Sequence, residues 1–234
     1  MDYLERYING EHEQVWTELQ ALGAAVRQEP NYTLARRVAY ETMRRVRANC
    51  ERIVNRLTTM NYTFGVFPDG SSRFTLGPLV PPDKASGEDL SALEEAVGPL
   101  PISLVAFWEQ VGSVDLVGMH PEWVKGSDPF VIDPPKAAVS QLDAKDERMK
   151  SLGHFEASLA PDDLHKDNIS GGSAYAVQLP DPGADFLFRN ERHNLYFVHY
   201  LRFAILHFGG FPGLEGGDAE FPYLGTLLQG LEPF

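Results

Sequence analysis

The sequence predicts an α+β fold: a mixed, mainly antiparallel sheet flanked by helices and preceded by an N-terminal helical hairpin. Three observations carry this expectation. Apolar residues recur at helical spacing through the first sixty positions. Several short alternating or β-branched stretches follow between about residues 62 and 188. Within them, residues 89–112 read as an amphipathic helix, a Leu100-Pro101 hinge and a second apolar helix ending at Gly112. Strands gathered between helices, rather than alternating regularly with them, fit α+β better than α/β.

The elements follow in order. His12, Val15, Trp16, Leu19, Leu22 and Val26 repeat at three and four, which lays them on one helical face. Glu29-Pro30 ends that helix, and Asn31 is placed to cap the next. The second helix carries Leu34, Val38, Thr42, Val46, Cys50, Ile53, Leu57 and Met60 on one face. Its other face shows Arg36, Arg37, Arg44, Arg45, Arg47, Arg52 and Arg56. The two helices should pair antiparallel through their apolar stripes. Residues 62–67 read as a strand, residues 69–72 as a turn and residues 73–76 as the returning strand. The prolines of residues 79–84 make that stretch a linker. Short strands are expected at 115–118 and 130–133. Pro134-Pro135 then starts a polar helix running to about residue 150. Residues 154–159 and 173–179 alternate like half-buried strands around a polar loop, and 186–188 is a further short strand. A helix over 197–208 ends at Gly209-Gly210-Phe211-Pro212-Gly213. The organisation expected is a helical extension over 1–60, hairpin strands and a linker over 61–84, and an α+β domain over 85–234.

Composition excludes several function classes. Apolar residues make up 43% of the 234, so a core can form and global disorder is excluded. No apolar run approaches the ~20 residues of a membrane helix. The first residues, Met1 to Arg6, lack the basic start and apolar stretch of a signal peptide, and a single cysteine, Cys50, suits a reducing compartment. The expected location is the cytoplasm. Net charge is −13. Residues 1–60 hold nine Lys and Arg against eight Asp and Glu, whereas residues 61–234 hold eleven against twenty-five. Such an acidic body repels nucleic acid and anionic membrane and attracts basic partners. The seven arginines of the second helix are therefore read as a solvated face paired with Glu41, Glu51 and the acidic body, not as a nucleic-acid footprint.

Chemistry-bearing motifs are sparse. No phosphate loop of the Gly-x-x-x-x-Gly-Lys type and no Gly-x-Ser-x-Gly elbow is present. Cys50 lies on an apolar stripe, where a small buried hydrophobe is expected. Asp162, Asp163, His165 and Asp167 crowd one loop and could ligate a cation. The loop lacks the glycine and terminal glutamate of a calcium site, and the plainer reading is local turn hydrogen bonds. Asp185, Glu191 and His193 could form an acid–base group, against a plainer role in capping the turn between strand and helix. His199 and His207 stand two helical turns apart, about 12 Å, too far to share a metal. Trp108 belongs to an apolar run and is read as core. Trp123, between Pro121 and Lys125, is the better surface anchor. No cofactor is expected.

Residues 90–112 resemble the signature of the SUKH superfamily, the type found in yeast cell-wall synthesis regulators and bacterial immunity proteins. Further along, Asp115-Leu116, Ile169-Ser170-Gly171-Gly172, and Phe197-Val198-His199-Tyr200-Leu201-Arg202 before Gly209-Gly210-Phe211-Pro212-Gly213 are similar to bacterial members. The likeness covers about residues 85–234, and the N-terminal helices resemble an extension of the same proteins. The resemblance implies a mixed sheet flanked by helices, no shared catalytic residues, and neutralisation of a toxin, often a basic nuclease, by direct contact. The function expected is thus non-enzymatic protein binding. The alternatives are a regulatory or structural subunit working through the N-terminal helices, and an enzyme using the Asp162–Asn168 loop. Trp123, Asp162, Asp163, His165, Asp185, Glu191 and His193 are the candidate anchors for a basic protein partner. The sequence sets no oligomeric state.

Overall fold

The computed structural model describes residues 2–122, 127–142, 153–215 and 223–234. Helix α1 (Tyr3–Ile8) starts where Asp2 accepts the Glu5 N–H, a side-chain cap. Helix α2 (His12–Ala21) buries Val15, Trp16 and Leu19, a 3-10 turn follows over Gly23–Arg27, and α3 (Asn31–Thr59) returns. Trp16 joins the pair by donating Nε1–H to Thr42 Oγ1 at 3.1 Å. Asn31 is not the cap expected for α3. It is the first helical residue, and the Glu29 carboxylate takes the Thr33 N–H instead. The 29 residues of α3 span about 43 Å. Its buried face, including Val38, Met43, Val46, Cys50, Ile53 and Leu57, packs mainly on α5 (Ile102–Gln110).

The strands are short and antiparallel, in three pieces. β1 (Thr63–Phe64) pairs with β4 (Gly118–Met119). β2 (Leu79–Val80), β3 (Ser113–Asp115) and β5 (Val131–Ile132) form a second ladder in that order. β6 (Phe155–Ala160) and β7 (Tyr175–Leu179) form the third, with an irregularity at Ser158/Ala160. The Asp133 N–H donates to Leu159 O and ties β5 to β6.

Several expectations are corrected. The supposed linker contains β2. Its prolines sit just after the strand, where no ladder hydrogen bond is lost. Gly112 makes room for it, because a Cβ there would stand 2.1 Å from Val80 O. Residues 73–76 form no returning strand. The turn closes with one bridge, Val66↔Ser72, and an Arg73 N–H to Gly65 O bond. Residues 186–188 likewise make a single bridge, Leu187↔Tyr196. Helix α4 (Lys84–Val97) begins before the apolar pattern does, because Asp83 and Ser86 form a reciprocal capping box. Helix α6 covers 135–142, and its expected continuation to residue 150 lies outside the described residues. The loop after β6 opens with a helical turn, α7 (Asp163–Lys166), capped by Asp162. Helix α8 (Phe197–Arg202) continues as a π turn over Phe203–His207, and α9 (Leu224–Leu228) follows.

The core centres on α5 and aromatic rings. Phe107 and Trp108 are fully buried, as expected of Trp108. Phe186 stacks on Phe197 at 4.8 Å, and Phe188 meets Tyr200 edge-on at 4.8 Å. The arginine face of α3 is spent internally. Arg44 and Arg45 hold Glu41, Arg47 holds Glu51, Arg52 holds Glu232, and Arg56 donates to the carbonyls of Leu227 and Gln229. Asn49 adds a reciprocal pair with the Glu232 backbone. Arg44, Arg45, Arg52 and Arg56 thus bind the C-terminal segment along α3.

Candidate docking site

Among the described residues, the anchors expected from the sequence do not form one exposed surface. Asp162 is buried and caps α7, accepting from the Leu164 and His165 N–H groups and from His165 Nδ1. Burial opposes its ionisation, yet these bonds hold the carboxyl below its ordinary value. Gly172, at φ +76, passes so close that a Cβ would meet the Asp162 carboxylate at 2.5 Å. That contact explains why position 172 is glycine. Asp163 pairs with Arg192 at 2.9 Å. Asp185 is buried at the start of α8, where it accepts from the Ser103 hydroxyl, the Gln20 amide and the Val198 N–H. Burial pushes its carboxyl up to about 6 against those bonds. Glu191 is buried and accepts from the N–H groups of His193 and Leu195. His193 Nε2 lies 3.0 Å from Glu215. Asp162, Asp185 and Glu191 therefore hold local backbone in place, and burial removes all three from a contact surface. Trp123 lies outside the described residues. Burial pushes the Cys50 thiol up to about 12, which keeps it protonated and unreactive.

The surface that does stand out was read as a strand. Gly65 and Gly77 bracket a tight loop in which side chains alternate. Arg73 turns inward to Asp115, Nε to Oδ2 at 3.0 Å, and the Thr75 hydroxyl accepts the Gly77 N–H at 3.1 Å. Phe74 and Leu76 turn outward and are 87% and 67% exposed. Beneath them lies a recess of about 340 Å³, whose lining includes Arg73, Asp115, Asp133 and Lys136. A second recess of about 200 Å³ shares Leu76, Ser113, Pro134 and Lys136 with the first and adds Asp83 and Asp89. The two form one trough along β2, β3 and the start of the 135–142 helix.

Asp133 is the distinctive group in the trough. Its backbone is fixed on both sides: its N–H goes to Leu159 O, and its carbonyl takes Trp108 Nε1–H at 2.9 Å. Its carboxylate has no hydrogen-bond or ion-pair partner among the described residues. Burial pushes that carboxyl up to about 6, with Asp115 adding to the shift and Arg73 and Lys166 opposing it. Phe74, Leu76 and Asp133 were missed because the alternation of residues 73–76 signals a strand. It does not say that the outward pair faces water or that Asp133 lies beneath. The arrangement can hold a cationic, partly apolar group.

A third recess, about 760 Å³ and open, lies between α1 and α3. Its lining includes Leu4, Ile8, Tyr32, Arg36 and Tyr40. Arg36 lies 5.8 Å from the Tyr32 ring centre and 5.2 Å from that of Tyr40, and donates to the Tyr40 hydroxyl at 2.7 Å. Ile8 is 56% exposed at its edge. Among the described residues, no three His, Cys, Asp or Glu gather as metal ligands, and no helix is long and apolar enough to cross a membrane. Comparison with known proteins gives no match to a family model, a curated sequence or a solved structure.

Proposed function

We propose that this protein is a non-enzymatic, SUKH-like protein-binding module that neutralises a basic, toxin-like protein by direct contact in the cytoplasm. The observation that carries this reading is the pair Phe74 and Leu76, held in water at the rim of an acidic trough. A large aromatic side chain left so exposed loses hydration cost when a partner covers it, and such residues dominate interface energies. The net charge of −13 would steer a basic partner to the surface and disfavour acidic ones. The buried, reduced Cys50 is consistent with a cytoplasmic setting.

The test compares tagged protein with a Phe74→Ser/Leu76→Ser double variant as bait in native cell extract. A basic protein retained at low salt, then released both by high salt and by the double substitution, is the expected result. Equal retention by the double variant, or retention of acidic proteins alone, would overturn the reading.

One observation favours a second reading, a structural subunit working through its N-terminal helices. The α1–α3 recess combines tyrosines, arginines and an exposed isoleucine, the composition of an interface core. In that case sedimentation shows an assembly that Ile8→Glu dissociates, with the hairpin variant unchanged.

A further inference from the structure

We propose that the trough beside the hairpin receives an extended, basic segment of the partner, with one lysine or arginine head group seated against Asp133 and its stem beneath Phe74 and Leu76. This rests on the protein-binding reading and names the chemistry of its contact.

Charge is the first argument. Four carboxylates line the two recesses, Asp83, Asp89, Asp115 and Asp133, against two cations, Arg73 and Lys136. The lining therefore carries a surplus of two negative charges. Of the two cations, Arg73 is committed, since it gives its Nε–H to Asp115, and Lys136 is exposed at the edge of both recesses and makes no ion pair with Asp133. Asp83 is partly spent as the cap of α4. Asp133 keeps both oxygens unpartnered while most of its surroundings are protein, an arrangement that a cation from outside relieves.

Shape is the second argument. The two recesses adjoin, sharing Leu76, Ser113, Pro134 and Lys136, so one extended segment can lie across both. A strand-like segment advances about 3.3 Å per residue and turns alternate side chains to opposite faces. Such a segment can set one cation against Asp133 and, two residues on along the same face, a second toward Asp83 and Asp89 in the adjoining recess. Phe74 and Leu76 supply the apolar cover that a lysine or arginine stem requires, and the Phe74 ring face can attract the cation itself. The α1–α3 recess, with Arg36, Arg37 and Arg44 in its lining, has the opposite character and does not compete for the same segment.

The experiment uses the full chain and a labelled synthetic peptide, acetyl-Leu-Arg-Leu-Arg-Leu-amide, with its glutamate counterpart as control. Binding is followed by fluorescence polarisation and by amide chemical-shift changes in two-dimensional NMR. The arginine peptide should bind with shifts centred on residues 74–77, Ser113 and Asp133, and the glutamate peptide should not. Asp133→Asn should weaken binding about tenfold or more, and Asp133→Lys should abolish it. Thermal unfolding of Asp133→Asn checks that the fold is kept. Unchanged affinity of a folded Asp133→Asn variant, or shifts centred on α1 and α3, would overturn the proposal. So would concentration-dependent self-association that Phe74→Ser removes, because the occupant would then be a second copy. If Phe74→Ser/Leu76→Ser still releases a basic protein from the extract while Asp133→Asn does not, the basic-anchor proposal fails and the binding reading stands. If neither substitution releases anything, both fail.

Discussion

Asp133 concentrates the electrostatics of this molecule in one side chain. Its ordinary carboxyl value is 3.8, and burial raises it to about 6 in the folded chain. The native state therefore holds the proton more tightly than the unfolded chain does. The stability this group contributes is full below about pH 3.8 and is lost as pH rises through about 6. Asp133→Asn removes that dependence, so the variant should gain on the parent protein between about pH 4 and pH 7, by up to about 3 kcal/mol at neutrality. Urea denaturation of both proteins at several pH values checks this. Parallel curves would show that the carboxyl is not strained by burial. Other single residues were more legible. Cys50 and Trp108 sit within apolar patterns and are buried, and the arginines of α3 balance local acids. The role of Asp162 as a cap was half visible in its composition. Its burial was not, because that depends on Gly172 crossing its carboxylate from ten residues away.

Elements differ in legibility according to how local their causes are. Helices α2, α3 and α5 were readable because a 3.6-residue period needs only neighbours in sequence, whereas the six-residue α1 is too short to show a period and was not read. The strands were readable only as candidates. β2 pairs with β3 across a gap of more than thirty residues, so no local pattern decides it. It exists because Gly112, at φ +90, lets the chain approach Val80 O. Gly112→Ala would force a side chain into left-handed backbone and a Cβ into that carbonyl. It should destabilise the protein by about 2 kcal/mol or more and weaken ligand binding in the trough that β2 borders. Chemical denaturation together with the arginine-peptide titration checks both. A stable variant with intact binding would show that β2 can shift freely. The helix over 197–208 was read as regular, but its backbone widens to a π turn over Phe203–His207.

The whole molecule is organised by α3. The helix lays its apolar face on α5 and holds the C-terminal segment through Asn49, Arg52 and Arg56. Buried residues from α2, α3, α5 and the strands belong to one continuous apolar cluster. Removing residues 1–60 would strip α5 of its main packing partner. The truncated chain should lose cooperative unfolding and show collapsed near-ultraviolet circular dichroism. A cooperatively folding 61–234 fragment would show that the remainder is self-sufficient. Sequence alone determined the α+β class, the helical N-terminus, the apolar identity of α5 and the acidic charge, since composition and short periods carry that information. Only the tertiary structure decided which strands pair, that Asp162, Asp185 and Glu191 are buried holding backbone, and that Phe74, Leu76 and Asp133 meet at one trough. The reason is physical: these outcomes depend on contacts between residues far apart in the chain, on a glycine that permits close approach, and on which side of a short loop faces water.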